Sequence, residues 1–145
     1  MIYNKMELSP KNNWVEVLQN FSSHKEYEKL DKVDIANENS NHCNDLGSSD
    51  DEDKTLCKKV EQNLRRLSTL HGDELKSGCY YFQHWFFDNI AKKYYNGNDR
   101  GKNYAVAEKL FDIVSTLTPV YSKMEACKCY FEPGKPEDWK KKIFA

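Results

Sequence analysis

Long apolar runs are missing from this chain of 145 residues. No stretch approaches the ~18 consecutive apolar residues that a membrane-spanning helix needs. No charged start followed by an apolar core opens the chain in the way that a secretory leader does. We therefore expect a soluble chain without a membrane span.

An excess of charge of one sign is missing as well. The 22 Lys and Arg residues balance 23 Asp and Glu residues, so the net charge is -1. Such a balance creates no global field that attracts nucleic acid or anionic lipid. The pairs Lys58-Lys59, Arg65-Arg66 and Lys92-Lys93 can form a basic stripe for RNA. Their acidic neighbours favour a solvated face instead, and we expect no nucleic-acid partner.

Signatures of catalysis are also missing from the sequence. It contains no phosphate-cradling glycine loop, nucleophile elbow, zinc-binding helix or dinucleotide fingerprint. Carboxylates are abundant, but nothing in the sequence pairs two of them across a cleft for acid-base work. We therefore predict that the protein is not an enzyme and needs no cofactor.

Helical periodicity is what the sequence does contain. A proline after Ser9 and a capping box at residues 23–26 predict the first two helices, and Cys57 to His71 form the most regular apolar face, closed by Gly72. Val106 to Leu117 predict a helix that stops before Pro119, and a weaker helix follows over residues 121–130. With no alternating strand pattern, we predict an all-α, disulfide-stabilised bundle of about five helices around a central aromatic helix.

Two irregular stretches mark the predicted domain limits. Residues 37–53 are rich in Asn, Ser and Asp, and we predict a polar loop there. Its acidic end favours a charged helix entry, and the alternative is a phosphorylation site for an acid-directed kinase. Prolines and a glycine predict the start of a linker at residues 133–145, so we expect a single helical domain over 1–132 in a truncated chain.

The segment CYYFQHWFFDNIAKKYY, residues 79–95, concentrates eight aromatic side chains in seventeen residues. It is either the central helix of a core or a surface meant for a partner. Two adjacent helical rows favour the core, and these rows contain Phe82, Trp85, Phe86 and Ile90. The aromatics off the main row are the weak candidates for exposed partner contacts: Tyr80, Phe87, Tyr94 and Tyr95.

Five cysteines leave disulfides, buried thiols or zinc as alternatives. They are Cys43, Cys57, Cys79, Cys127 and Cys129. Their spacing lacks the two close pairs typical of structural zinc, so we predict disulfides and no metal. In an antiparallel helix hairpin Cys57 and Cys79 lie too far apart for a bridge. We therefore predict that Cys43 pairs with Cys79, which leaves Cys57 for Cys127 or Cys129.

Three motifs resemble the Vir branch of the Plasmodium interspersed repeat (PIR) variant protein family of malaria parasites. SSHKEYEKLDK (residues 22–32) resembles the N-terminal motif of that family, and LCKKVEQNLRRL (56–67) resembles its second cysteine helix. CYYFQHWFFDNI (79–90) is similar to its tryptophan helix. Gln83-His84 depart from the more usual Asn-Tyr, and the family's later linker and C-terminal transmembrane helix are missing from this chain.

The resemblance implies a non-enzymatic variant surface antigen. It implies export to the infected red cell and display on its surface or membrane, with roles in immune evasion and adhesion to host receptors. Host-cell surface proteins or antibodies are the partners it implies, without assigning a binding residue. The alternative interpretation is an intracellular or exported helical scaffold with reduced cysteines.

Overall fold

The computed structural model of the chain describes residues 24–36, 41–47, 50–120 and 133–139. The chain forms two compact units, residues 1–32 and residues 33–145. The predicted helix that begins at Ser9, the capping residue Ser23 and the weaker helix over 121–130 lie outside the described residues. The single domain predicted over 1–132 stays a prediction.

The first unit contributes helical residues 24–31, which we call α1. Ion pairs one turn apart support it, because Lys29 Nζ lies 2.9 Å from Glu26 Oε2 and Lys32 Nζ lies 3.2 Å from Glu28 Oε2. Such exposed pairs contribute only a few tenths of a kcal/mol each. The helix therefore owes little of its stability to these charges.

The second unit confirms the all-α prediction. Its helices are α2 (Asn41–Asn44), α3 (Asp51–Leu67), α4 (Gly72–Tyr94), α5 (Tyr104–Val120) and α6 (residues 136–139). Two-residue strands β1 (Tyr95–Asn96) and β2 (Asp99–Arg100) pair antiparallel between α4 and α5. The predicted number of about five helices stays a prediction.

Helix α3 begins as the acidic stretch predicts. The Asp50 side chain caps it by accepting a 2.7 Å hydrogen bond from the Glu52 amide, and Asp51, Glu52 and Asp53 place negative charge in the first turn, where the helix dipole favours it. The helix ends at Leu67 and not at the predicted Gly72. The reason is local, because the hydroxyls of Ser68 and Thr69 donate to carbonyls of the last turn.

Helix α4 begins at Gly72, and Gly78 therefore lies inside it. A Cβ atom at Gly78 would come within 2.5 Å of the Leu67 side chain, so the missing side chain lets the end of α3 and the start of α4 approach closely. At the other ends, the Tyr94 hydroxyl reaches Asp53. The two helices are therefore antiparallel.

A tight turn at residues 96–101 joins α4 to α5. Gly97 has a φ of 67° at the tip, a conformation that glycine adopts without strain. The Gly101 amide donates to the Tyr94 carbonyl at 2.8 Å, and a Cβ at Gly101 would lie 2.9 Å from the same oxygen. Helix α5 then continues to Val120, so the predicted stop before Pro119 is wrong. A proline in the last turn is tolerated here.

Residues 133–139, where the start of a linker is predicted, pack against the helices. Trp139 is 2% exposed, and its ring lies 4.8 Å from the ring of Phe87 and 5.8 Å from that of Phe111. The Tyr95 hydroxyl donates to the Gly134 carbonyl at 2.7 Å. Proline and glycine break helical periodicity here, but they do not prevent a single aromatic residue from docking.

The buried Trp139 ring leads to a first prediction. Trp139→Ala removes a ring that bridges α4 and α5 and leaves a cavity, so the free energy of unfolding is expected to fall by about 3–5 kcal/mol. Urea denaturation followed by circular dichroism measures this change. Tyr80→Ala truncates an exposed ring and serves as the control, with an expected change below about 1 kcal/mol. Equal losses in the two variants would contradict the packing role of Trp139.

Candidate functional site

The predicted core residues of the aromatic helix lie together in the interior. Phe82, Trp85, Phe86 and Ile90 are at most 1% exposed. Phe82 and Phe86 stack with 6.1 Å between ring centroids, and Phe86 meets Phe111 of α5 edge to face at 5.5 Å. Such ring pairs add about 0.5–1.5 kcal/mol each beyond the burial of area. These residues hold the fold and are unavailable to a partner.

Two of the four weak contact candidates are buried, so the prediction of exposed contact area is wrong for them. Phe87 lies beneath Trp139, from the stretch predicted as a linker, and Tyr94 lies against the start of α3. Tyr95 is half-buried, and its ring meets Tyr104 edge to face at 5.3 Å. The position of a residue around the helix does not predict its exposure here, because α4 has neighbours on several sides.

Tyr80 is the remaining candidate, and it is exposed. Its side chain is 43% exposed, and no other large hydrophobic residue in the described part of the chain is exposed to this degree. Its ring packs edge to face against Tyr81 at 5.5 Å and against His84 at 4.5 Å. We call Tyr80, Tyr81 and His84 the Tyr80 patch. Its neighbouring rings restrict the Tyr80 side chain before any partner arrives.

The electrostatics of the Tyr80 patch are set by His84. Burial lowers the pKa of His84 below its usual value, and the nearby Asp88 carboxylate opposes this shift without cancelling it. Desolvation disfavours the imidazolium form. The imidazole is therefore neutral at physiological pH, and the patch presents aromatic and polar groups without a positive charge.

A buried polar pair lies at the C-terminal end of α4, away from the Tyr80 patch. The Tyr94 hydroxyl donates a 2.7 Å hydrogen bond to Asp53 Oδ1, and both side chains are buried. Burial raises the pKa of Tyr94 well above its usual value, and the hydrogen bond to Asp53 raises it further. Nearby, Lys93 Nζ lies 3.8 Å from Glu52 Oε1 at the surface. The hydrogen bond and the ion pair thereby connect the first turn of α3 to the last turn of α4.

Glu61 is a second buried acid that sequence reasoning missed. It is 3% exposed in the middle of α3. Its Oε2 atom lies 3.4 Å from His42 Nδ1 of α2 and 3.6 Å from the Arg65 guanidinium one turn later. Its position at the edge of the periodic apolar face was the available signal, because Glu61 lies next to Val60 and one turn after Cys57.

The cysteine pairing differs from the prediction. Cys43 and Cys57 form a disulfide with a Cα–Cα distance of 5.6 Å, so the predicted Cys43–Cys79 pair is wrong, as is a partner for Cys57 at Cys127 or Cys129. The prediction treated residues 37–53 as one long loop. Instead α2 forms inside that stretch and packs on α3, which brings Cys43 to the cysteine 14 residues later.

Cys79 at the start of the aromatic segment is disulfide-bonded too. The two other cysteines of the sequence, Cys127 and Cys129, lie outside the described residues. All three described cysteines are therefore oxidised, and their sulfur atoms are not thiolates available to zinc. Within the described ranges, no group of three or more His, Cys, Asp or Glu side chains is placed to hold a metal ion.

Three of the six residues in the basic pairs have acidic neighbours in the structure. Lys92 Nζ lies 3.0 Å from Asp88, Lys93 faces Glu52, and Arg65 faces Glu61. Acidic partners thus neutralise part of each side chain's field, which favours the solvated face over RNA binding. In the part of the chain that the structure describes, no helix combines the length and apolar character needed to cross a bilayer.

Comparison with known families agrees with the motifs on α3 and α4. The family described as Plasmodium vivax Vir protein matches residues 21–143, which is most of the chain. The chain belongs to this family. No curated protein and no solved structure matches it significantly. The predicted Vir resemblance is therefore confirmed, and the protein is a member of a variant antigen family of malaria parasites.

The Vir match covers both polar pairs and the docked tryptophan. Asp53, Tyr94 and Glu61 lie within it, as does Trp139. These residues join elements that are distant in sequence, since Asp53 and Tyr94 are 41 residues apart. They position the frame that carries the Tyr80 patch.

The Tyr94–Asp53 hydrogen bond makes stability depend on alkaline pH. An unperturbed tyrosine has a pKa of 10.0, and the folded state raises this value, so the stabilisation is complete below pH 10 and is lost as the pH rises further. Tyr94→Phe is expected to lower the free energy of unfolding by about 1 kcal/mol at pH 7. The difference from the wild type should shrink above pH 10.

Urea denaturation at several pH values between 7 and 11 measures this dependence. Tyr80→Phe removes an exposed hydroxyl and is the matched control, for which we expect no change in the pH profile. A constant difference between Tyr94→Phe and the wild type across this range would show that the Tyr94 proton is not held by the fold.

Proposed function

We propose that this Vir family member is a non-enzymatic variant surface antigen domain, exported to the infected red cell and displayed on its surface or membrane. The buried Cys43–Cys57 disulfide is the observation that carries the proposal. Disulfides persist in oxidising compartments and at cell surfaces, and they are rare in a reducing cytosol. A small helical unit that relies on disulfides is therefore suited to work outside the cytosol.

Immune evasion is the first role that we propose for the domain. The aromatic rings of α4 pack in the core, while the exposed face of α5 is mostly polar. Surface substitutions away from caps and buried networks usually change stability by less than about 0.5 kcal/mol. Antibody-facing positions can therefore change while the frame persists. The exposed residues of this α5 face are Ala105, Glu108, Lys109, Asp112, Ser115 and Thr116.

Adhesion to host-cell surface proteins is the second role, and the Tyr80 patch supports it. Tyrosine is enriched among the residues that dominate binding energy at interfaces. The contacts of Tyr80 with Tyr81 and His84 restrict its ring before binding, which reduces the conformational entropy lost on association. The patch is small, so a partner also has to contact the surrounding polar residues of α4.

The competing interpretation is an intracellular or exported scaffold with reduced cysteines. The same helical bundle would support a scaffold, and an exposed tyrosine also suits an intracellular partner. The oxidation state of the cysteines separates the two functions, because a surface antigen keeps its disulfides and a cytosolic scaffold does not.

The oxidation state can be measured in protein taken from infected cells. We expect alkylation under non-reducing conditions to find at most one free thiol, and peptide mapping to find Cys43 joined to Cys57. Recombinant protein refolded under oxidising conditions is the reference. Five free thiols in the native material would favour the scaffold and contradict display at the surface.

Adhesion can be tested by a flow-cytometry screen of the folded domain against host-cell surface proteins. If Tyr80 anchors the contact, Tyr80→Ala should weaken binding to the identified receptor about ten-fold or more. Lys109→Ala, which changes an exposed residue of α5, is the control and should bind as the wild type does. No binding across a broad panel would contradict adhesion and leave a passive antigen.

A further inference from the structure

Helix α2 is too short to be stable by itself. Its four residues make about one turn, and isolated helices shorter than ~12–15 residues are marginal in water. It is nevertheless well packed, because Cys43 and the nearby Leu46 are each 1% exposed. The stability of residues 41–47 must therefore come from their contacts with the rest of the unit.

A disulfide and a polar side-chain contact join these residues to α3. The Cys43–Cys57 disulfide is covalent, and the polar contact between His42 Nδ1 and Glu61 Oε2 is long at 3.4 Å. The His42 side chain is 43% exposed and the Glu61 side chain 4% exposed. The pair thus joins a solvated partner to a buried one, and the disulfide is the stronger of the two connections.

The buried carboxylate opposes closure of this segment. Glu61 Oε1 accepts no hydrogen bond from the described residues, and its Oε2 neighbours are at 3.4 and 3.6 Å. A buried charge is costly unless it is paired and fully hydrogen-bonded. Moving α2 away would return this carboxylate to water. Ordering residues 41–47 also has an entropic cost at each residue, against which the segment buries one leucine and one cysteine.

We propose that residues 41–47 form a redox-controlled latch on α3. While the Cys43–Cys57 bond is intact, the latch is closed and covers Glu61. Reduction of this bond releases the latch, and the rest of α3, α4 and α5 stays folded. The open form presents an acidic side chain beside newly exposed apolar positions of α3. This device does not depend on which host protein the antigen binds.

The reduction is a two-electron exchange with a thiol reductant. A thiolate of the reductant attacks one sulfur atom, the Cys43–Cys57 bond breaks, and a mixed disulfide forms. A second reductant thiol then displaces the protein sulfur. The protein gains two electrons and two protons as two cysteine thiols, and the reductant leaves as its disulfide. Both protein sulfurs are buried, since Cys43 is 1% and Cys57 0% exposed, so the segment has to open transiently before attack.

The double variant Cys43→Ala with Cys57→Ala tests the latch without reducing the Cys79 bridge. Hydrogen exchange followed by mass spectrometry compares it with the oxidised wild type. We expect the amides of residues 43–46 to exchange on the order of a hundred-fold faster, the loss of protection for opening a loop of this size. Amides of α4 and α5 should keep their protection.

Two results would overturn the proposal. Unchanged exchange at residues 43–46 would show that packing of Leu46 and the His42–Glu61 contact hold the segment without the disulfide. Faster exchange throughout α3, α4 and α5 would show that the bond is a global clamp and not a latch.

Glu61→Gln in the same double variant tests the role of the buried charge. Its partners His42 and Arg65 are each more than 40% exposed, so this change leaves no buried cation without a counter-charge. We expect exchange at residues 43–46 to become about ten-fold slower, because a neutral amide is less costly to bury. Glu108→Gln on the exposed face of α5 is the control and should have no effect. Faster exchange in Glu61→Gln would show that the contact between His42 and the Glu61 carboxylate closes the segment, which overturns the opposing role of the carboxylate.

Discussion

The rings of Phe82, Phe86 and Phe87 leave α4 in directions that no single neighbouring helix covers. Their burial requires α3 on one side, α5 on another and the Trp139 ring over Phe87. This requirement explains the close approaches elsewhere in the unit. Gly78 admits the end of α3, and Gly101 lets the chain turn back against the last carbonyls of α4. A lysine-rich chain with few aliphatic residues can hold together in this way, because each ring buries a large area.

Two buried acids at the margins of this core differ in the contacts that their carboxylates make. Asp53 receives a short hydrogen bond from Tyr94 and so secures the antiparallel helix pair. Glu61 Oε2 has longer contacts, at 3.4 Å to His42 Nδ1 and 3.6 Å to the Arg65 guanidinium. Both acids belong to α3, yet one stabilises the packing of long helices, and the other lies under a segment that depends on a covalent bond. Burial of a carboxylate therefore has opposite consequences at two places on the same helix.

Sequence reasoning predicted the features that repeat along one helix. Periodicity placed α3 and α5, composition predicted the acidic entry to α3, and the aromatic motif predicted the family. What it missed depends on contacts between distant residues. A lone Trp139 among prolines and glycine has no periodic signal, and the exposure of Phe87 depends on that tryptophan. The pairing of Cys43 depends on a short helix inside a polar stretch, where composition favours a loop.

The position of Trp139 also has a practical consequence for the boundaries of the folding unit. A fragment that stopped after α5 would retain every long helix that the structure describes, yet it would leave the rings of Phe87 and Phe111 without the Trp139 ring that covers them. Exposed aromatic surface of this kind promotes self-association. The shortest recombinant form with a closed interior must therefore extend beyond α5 and through Trp139.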